Sequence, residues 1–357
     1  MDAHILVINP GSTSTKIAVF KNRQEKLLLN VKHNKEELEI FEKIADQFEF
    51  RKNKVKEVLI KAGIDIASIN ICVGRGGLLK PMPGGAYKVN DNLIRDIQNP
   101  MGEHESNLGG VIAFELAKEI GGNAFAMIVD PTCVDEMDEI ARISGMPDVP
   151  RRSFLHALNQ KAIARIFAKE NNTRYEDINV IVAHMGGGVS VGAHRKGKVI
   201  DVNNGLNGDG PMSPERSGGV PIGQLVDLCF SGDFSHDEIK NKIKGEGGLY
   251  AYLGTSDALE VEDRIRKGDK YAELIYMALA YQVAKEIGGL STVLKGEVDG
   301  ILLTGGLAYG PDLTNDISER VKHLGVVKSY PGEGEMEAMA MNAFMVFSGE
   351  IDLKDYV

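Results

Sequence analysis

Tryptophan is absent from this chain of 357 residues, and only three cysteines occur, Cys72, Cys133 and Cys229. They are far apart, and no Cys-x-x-Cys exists, which argues against a disulfide framework and a zinc ribbon. Set among apolar neighbours, each reads as a small buried hydrophobe in a reducing, cytoplasmic compartment. No apolar run approaches the ~20 residues needed to cross a bilayer. The opening MDAHILVINPG has no basic stretch before its short apolar run, so no secretory leader is expected. Positive charge is in deficit: 41 Lys+Arg against 51 Asp+Glu leave a net charge of −10. Such a surface repels a phosphate backbone and argues against a nucleic-acid partner.

What is present is a globular composition, with 43% hydrophobic and 26% charged residues. The length suits two or three domains. The 41 glycines announce many turns and close backbone approaches. Apolar runs read as strands at His4–Ile8, Ile17–Phe20, Ile69–Val73, Ala124–Val129, Val180–Ala183, Lys198–Val202 and Gly300–Leu303. Several are apolar without alternation, as in strands covered on both faces. Helical spacing is found over Glu36–Phe48, Ser106–Ile120, Ser153–Lys169, Tyr271–Leu294 and Met336–Phe347, and from Pro221 through Phe230. The alternation predicts a two-domain α/β protein.

One internal echo stands out. ILVI-NPGSTSTK-IAVF, starting at Ile5, and VIVA-HMGGG-VSVGAH, starting at Val180, both run strand, small-residue turn, strand. A duplicated unit, one per half, is one explanation; two ordinary hairpins is the other. In the first turn, Asn9, Ser12, Ser14 and Lys16 could direct amide, hydroxyl and ammonium donors at an anion. The same loop also reads as a polar hairpin turn. It is not a Walker loop, because the second glycine is missing and a strand follows. In the second turn, His184, Gly186, Gly187 and Gly188 follow an apolar strand, and three consecutive glycines let phosphates lie on the backbone. Gly305 and Gly306 make a third such turn. Gly188–Gly192 also matches Gly-x-Ser-x-Gly, but a nucleophile elbow needs a helix after Ser190, and Val189, Val191 and Ala193 alternate as a strand.

Isolated polar residues sit at expected strand ends, where α/β sheets bind ligands: Arg75 and Asp130, with Arg216 among glycines. Each alone reads as a surface charge. Together they suit an anionic reactant. His156 falls on an expected helix, where a structural role is the commoner reading. His104 and the glutamates of PGEGEMEAM say nothing by themselves.

Taken together, these residues resemble the acetate and butyrate kinase family, within the superfamily of actin, hexokinase and the heat-shock chaperones. The resemblance covers nearly the whole chain in order. The family's Asn-x-Gly-Ser-x-Ser-x-Lys is met from Asn9 to Lys16, and its substrate-arginine segment by Val73–Gly85. Its His-Asn-Pro-Ala-Asn-Leu segment fits His104–Leu108, and its catalytic aspartate fits Asp130. Arg151-Arg152-Ser153-Phe154-Leu155-His156 fits the stretch carrying its catalytic histidine. The second phosphate turn fits His184–Gly188, the Arg-Ser-Gly segment starts at Arg216, the adenosine-side loop fits Gly305-Gly306, and the metal-linked glutamate is placed at Glu335.

Departures from acetate kinases are informative. Gly77 replaces a branched apolar residue, and Leu155 replaces Phe just before the histidine. Both would enlarge a substrate pocket that also includes Arg75 and His104. At ~0.8 kcal/mol per buried methylene, such holes favour longer acids. The chain is also shorter than acetate kinases usually are, and GGLLKPMPGG and RSGGVPIGQL are much more similar to butyrate kinases. The adenosine-side Asp-x-Arg is reduced to Asp257 followed by Ala258-Leu259. The resemblance implies two actin-like domains with mixed sheets flanked by helices and a cleft between them, residues 1–150 plus 335–357 and residues 151–334. It implies ATP/ADP and Mg2+ as cofactors, with Glu335 and Asp130 near the metal. It also implies a butyrate or branched-acid kinase, assembled as a homodimer or larger homo-oligomer. The alternatives are an acetate or propionate kinase and a non-catalytic nucleotide-binding module.

Overall fold

The computed structural model of the chain describes residues 2–98 and 104–357. The chain divides into two compact units, one running to Val134 and resuming at Gly334–Val357, the other Asp135–Glu333. The first division falls ahead of residue 150, the boundary that the resemblance implies. Residues 135–150 are tied to the second unit: the Asp138 N–H donates to Ile200 O at 2.9 Å, and Lys161 Nζ lies 2.8 Å from a Glu136 carboxylate oxygen.

In the first unit, strands β1 (His4–Pro10), β2 (Ser14–Lys21) and β3 (Gln24–Lys32) form an antiparallel meander. Strands β4 (Ile71–Arg75) and β6 (Phe125–Val129) lie parallel to β1 on its other side. The short β5 (Ala86–Lys88) and Leu353–Asp355 complete that edge. Leu6, Ile8, Ile17, Val19 and Cys72 meet helices Phe48–Lys61 and Asn107–Ile120 through Val55, Leu59, Leu108, Ile112 and Leu116. Helix Glu335–Ser348 packs on β1 and β4. Cover on both faces accounts for the unbroken apolar runs of β4 and β6.

Two expectations fail here. The helix over Glu36–Phe48 is instead a single turn, Lys35–Glu39, and a 3-10 segment, Ile44–Gln47; the long helix begins at Phe48. Its buried stripe is Arg51, Lys52, Val55 and Leu59, and two cations in that stripe hide the helical period. Strand β3 was not anticipated. It is an edge strand, mostly exposed, where charges among its leucines blur the alternation.

The second unit repeats the scheme. Strands β7 (Asn179–Met185), β8 (Val189–Arg195) and β9 (Lys198–Val202) form a meander, with β10 (Gly300–Gly305) and β11 (Val327–Pro331) parallel to β7. The order β11-β10-β7-β8-β9 matches β6-β4-β1-β2-β3. A register shift falls at the same place in both meanders, at Val19/Phe20 and at Ala193/His194. The echo is therefore a repeated topology, not two unrelated hairpins. Helix Lys270–Val293 covers one face through Tyr276, Leu279, Val283 and Ile287. Helix Ala157–Glu170 covers the other through Ile163 and Phe167, against Val180, Val182 and Leu302. The fold is α/β, two mixed sheets each flanked by helices.

Cys72 and Cys133 are buried as expected, and burial pushes their thiols up to about 12 and about 11, so neither is a nucleophile at neutral pH. Cys229 departs from expectation, being exposed at the end of helix Ile222–Cys229, which buries none of its residues. No helix of the described residues is long and apolar enough to cross a membrane.

Candidate active site

In the first unit, expected site residues gather at the carboxyl ends of β1, β4 and β6. Arg75 closes β4, and register places it beside Val129, so Asp130 emerges next to it. Arg75 is 7% exposed. Its Nη1 donates to Glu335 Oε1, and the other Glu335 oxygen accepts from Asn9 Nδ2 at 2.7 Å. The expected substrate arginine and the expected metal glutamate are thus partners of one another, with Asn9 as third member. Asp130 is buried, at φ 37°, a left-handed conformation that a non-glycine residue rarely adopts. The surrounding structure holds it there: Asp130 Oδ1 accepts the Gly85 N–H at 2.7 Å, and the Asp130 N–H donates to Gly85 O at 3.0 Å.

The loop between β1 and β2 is closed by the Gly11 N–H donating to Ser14 O at 2.8 Å, with Ser12 exposed and Lys16 opposite Asn9. Beneath it lies Arg51, 0% exposed, which sequence reasoning missed. Its Nη1 donates to Ser14 O at 2.9 Å and Thr15 Oγ1 at 3.1 Å, its Nη2 to Ser12 O at 3.2 Å, and Nε and Nη2 both to Gln47 Oε1. All five bonds go to neutral oxygens. Burial lowers its pKa, which Glu105 opposes. The one available signal was an arginine at i, i+4, i+8 spacing with Val55 and Leu59.

Gly77 requires a correction. A Cβ there would lie 2.6 Å from Asn107 Cα and 2.8 Å from its Cγ. Asn107 Oδ1 also accepts the Leu78 N–H at 2.8 Å. The volume that Gly77 gives up is filled by Asn107, so it opens no hole for a longer acid. His104 Nδ1 is engaged by Ser106 at the head of helix Asn107–Ile120, its Oγ at 2.8 Å and its N–H at 3.1 Å.

In the second unit the β7–β8 turn is the centre. Ser190 lies on strand β8 with no helix after it, which removes the nucleophile elbow. His156, expected inside a helix, is the residue that caps helix Ala157–Glu170. Its ring stacks on that of His184, with centroids 3.9 Å apart and planes at 15°. His156 Nδ1 is 2.8 Å from Ser190 Oγ, and His184 Nδ1 is 2.8 Å from Asn159 Oδ1. Leu155, just before, is buried. Arg216 lies on Gly188, where a Cβ would be 2.5 Å from the guanidinium carbon and nearer still to Nη1, which donates to Gly205 O. Only glycine permits this contact. Ser213 Oγ donates to Gly187 O at 2.6 Å, pinning the Arg216 segment onto the glycine turn. Burial lowers the Arg216 pKa, opposed by Glu215, yet a guanidinium stays charged at neutral pH.

A cavity of about 410 Å³ adjoins this turn, with Gly186, Gly187, Gly306 and Asp257 in its lining, together with Leu259 and Tyr309. The last two are 71% and 68% exposed and bring apolar surface to the cavity. Asp257 also serves as a helix cap, accepting the Leu259 N–H at 2.9 Å. Gly305 holds φ 90° with its backbone against Met185, bringing the third glycine turn beside the second. Among the described residues, no three His, Cys, Asp or Glu side chains converge as a metal cage. Mg2+ does not require one, since one or two carboxylates with phosphate oxygens and water suffice. Asp130 and Glu335 supply hard oxygen donors of the right kind.

The acetokinase family profile matches residues 149–331, which include His156, His184–Gly188, Arg216, Asp257, Gly305 and Gly306. Solved structures share the fold. The acetate kinase of Porphyromonas gingivalis superposes with a TM-score of 0.77 at 20% identity, over 97% of this chain and 100% of that one. A propionate kinase of Francisella tularensis reaches 0.74 at 18% identity, over 95% and 98%. The acetate kinase of Entamoeba histolytica reaches 0.74 at 17%, over 94% and 98%. With half of its length matched by the family profile, this chain belongs to the acetokinase family of carboxylate kinases.

Proposed function

We propose that this chain reversibly transfers the γ-phosphoryl group of ATP to the carboxylate of a short-chain fatty acid, butyrate or a branched acid, giving an acyl phosphate and ADP. The observation that carries the reading is the half-buried Arg216 guanidinium lying on Gly188 of the glycine turn, beside a cavity of ligand size. Leu259 and Tyr309 suit the faces of a purine, and the glycine turn suits its phosphates.

Phosphoryl transfer asks for position and charge neutralisation more than for covalent chemistry. Arg75 and Arg216 are the forks for carboxylate and phosphoryl oxygens. Arg75 is held by Glu335, and an incoming carboxylate competes for the same donors. His156 donates to phosphoryl oxygens as charge grows there. Asp130, rigid in its turn, orients the attacking acid. It need not act as a base, because a carboxylate nucleophile has no proton to lose at neutral pH. Asn9, Ser12, Ser14 and Lys16 meet phosphate oxygens. Mg2+, when bound through Glu335 and Asp130, neutralises phosphate charge.

For acid length, Leu155 in place of Phe and the two segments similar to butyrate kinases support butyrate. The filling of the Gly77 space by Asn107 favours the second reading, acetate or propionate. Trapping the product with hydroxylamine, with ATP, Mg2+ and acids from acetate to valerate, decides. A maximum at butyrate or a branched acid supports the proposal. A maximum at acetate or propionate selects the second reading. No hydroxamate from any acid leaves a binding module.

A further inference from the structure

Two side chains that neither the motifs nor the family resemblance singled out, Asn159 and Gln160, sit consecutively on helix Ala157–Glu170, 1% and 0% exposed. Each is oriented by a backbone carbonyl, which can only accept. Asn159 Nδ2 donates to Glu333 O at 2.5 Å, and Gln160 Nε2 donates to Ser190 O at 2.9 Å. Both amides are thereby fixed nitrogen-first, and proton positions follow by elimination.

For Asn159, the oxygen faces His184 Nδ1 at 2.8 Å, so that nitrogen must carry the proton. For Gln160, the oxygen faces His194 Nε2 at 2.9 Å, so His194 is protonated there, and its Nδ1 accepts from Tyr175 OH at 2.7 Å. His194 is fully buried, and burial with Lys161 and Arg165 nearby lowers its pKa well below the usual value, which keeps this end neutral. The Gln160 amide nitrogen also donates to Ser190 Oγ at 2.8 Å, and the His156 N–H reaches the same oxygen at 3.3 Å. Ser190 Oγ then receives two donors, and its one proton goes to His156 Nδ1, 2.8 Å away.

We propose that Asn159 and Gln160, the latter through Ser190, are positioning residues that hold the stacked rings of His156 and His184 in opposite neutral tautomers. His156 carries its proton on Nε2 and serves as an N–H donor to an anion. His184 carries its proton on Nδ1 and in its neutral form offers Nε2 only as an acceptor. This division of labour rests on the kinase reading for its purpose but not for its geometry. It implies that, of the two rings, His156 alone supplies a neutral donor to the moving phosphoryl group, and that Ser190 is kept for its hydroxyl proton.

The test is nitrogen-15 histidine spectroscopy of the whole chain, with long-range proton–nitrogen correlations reporting each tautomer. His156→Gln and His184→Gln assign the signals. The expected result is Nε2–H for His156 and Nδ1–H for His184. Ser190→Ala should convert His156 to a mixture, and Ser190→Thr should restore it. With ATP and butyrate, Ser190→Ala should lower kcat roughly tenfold or more, short of the ~10²–10³ that loss of a transition-state donor costs, with the nucleotide KM little changed. Nδ1–H at His156 in the native protein, or a His156 tautomer indifferent to Ser190→Ala, overturns the proposal. The native spectrum decides even where the variant does not fold. Opposite tautomers in a protein that phosphorylates no acid would leave this geometry standing while the kinase reading falls.

Discussion

Gly188→Ala isolates what the glycine turn does for Arg216. The added carbon would lie 2.5 Å from Arg216 Cζ and closer to Nη1, whereas ordinary contact begins at 3.4 Å. The clash is with the far end of a flexible side chain, so the fold survives and the guanidinium must retreat by about 1 Å or more. A misplacement of that size in a positioned group costs on the order of 10²-fold in rate, equivalent to about 2.7 kcal/mol. The assay is hydroxamate formation from butyrate at saturating ATP, beside a thermal melt. The expectation is a kcat/KM about a hundredfold down, with the melting temperature within a few degrees of the parent. Arg216→Ala combined with Gly188→Ala should be little worse than Arg216→Ala alone, because both act on one group. Activity of Gly188→Ala within threefold of the parent would refute the reasoning, as would additive losses in the double variant.

Other outcomes follow from buried charge. Glu335→Gln leaves the buried Arg75 without its carboxylate, a loss of about 3–5 kcal/mol for a broken buried pair. Added butyrate should then raise the melting temperature more in the variant than in the parent; equal shifts would show that butyrate does not reach Arg75. Arg51→Met removes the donors that hold Ser12 O and Ser14 O and leaves the buried Gln47 Oε1 without its two Arg51 donors, at about 1–3 kcal/mol for that orphaned group. It should raise the KM for ATP with little change in kcat at saturation, and an unchanged KM would detach this loop from the nucleotide. His33, buried beside Arg51, is held down to about 4 from an ordinary 6.5. The unfolded chain takes up that proton near 6.5 and the folded chain only near 4, so stability is full above 6.5 and is lost as pH falls through this window. The loss is at most about 3 kcal/mol. His33→Gln should flatten urea-melt stability between pH 6.5 and 4, and an unchanged slope would assign the acid sensitivity elsewhere.

Much of the fold was legible because strands buried on both faces leave unmistakable apolar runs, as at Ala126–Val129 and Ile181–Ala183. The repeat was visible in two small-residue turns, and the sheet order bore it out. What escaped detection shares one physical cause, polar groups in buried places. Arg51 and Lys52 concealed the period of helix Phe48–Lys61. Asn159 and Gln160 look like ordinary helix residues until their carbonyl partners, at Glu333 and Ser190, are known. Gly77 carried the opposite error: a missing side chain read as space, when Asn107 from a segment thirty residues on occupies it. A vacancy in sequence becomes a hole in structure only if nothing else moves in.

The central claim is that a carboxylate oxygen attacks the terminal phosphorus of ATP. Butyrate labelled with oxygen-18 in its carboxylate, incubated with the protein, ATP and Mg2+ and quenched with hydroxylamine, tests it directly, because hydroxylamine cleaves at the acyl carbon and leaves the bridging oxygen on phosphorus. The account predicts inorganic phosphate carrying a single oxygen-18 atom derived from butyrate. Phosphate without the label, formed at the same rate whether or not butyrate is present, would contradict it.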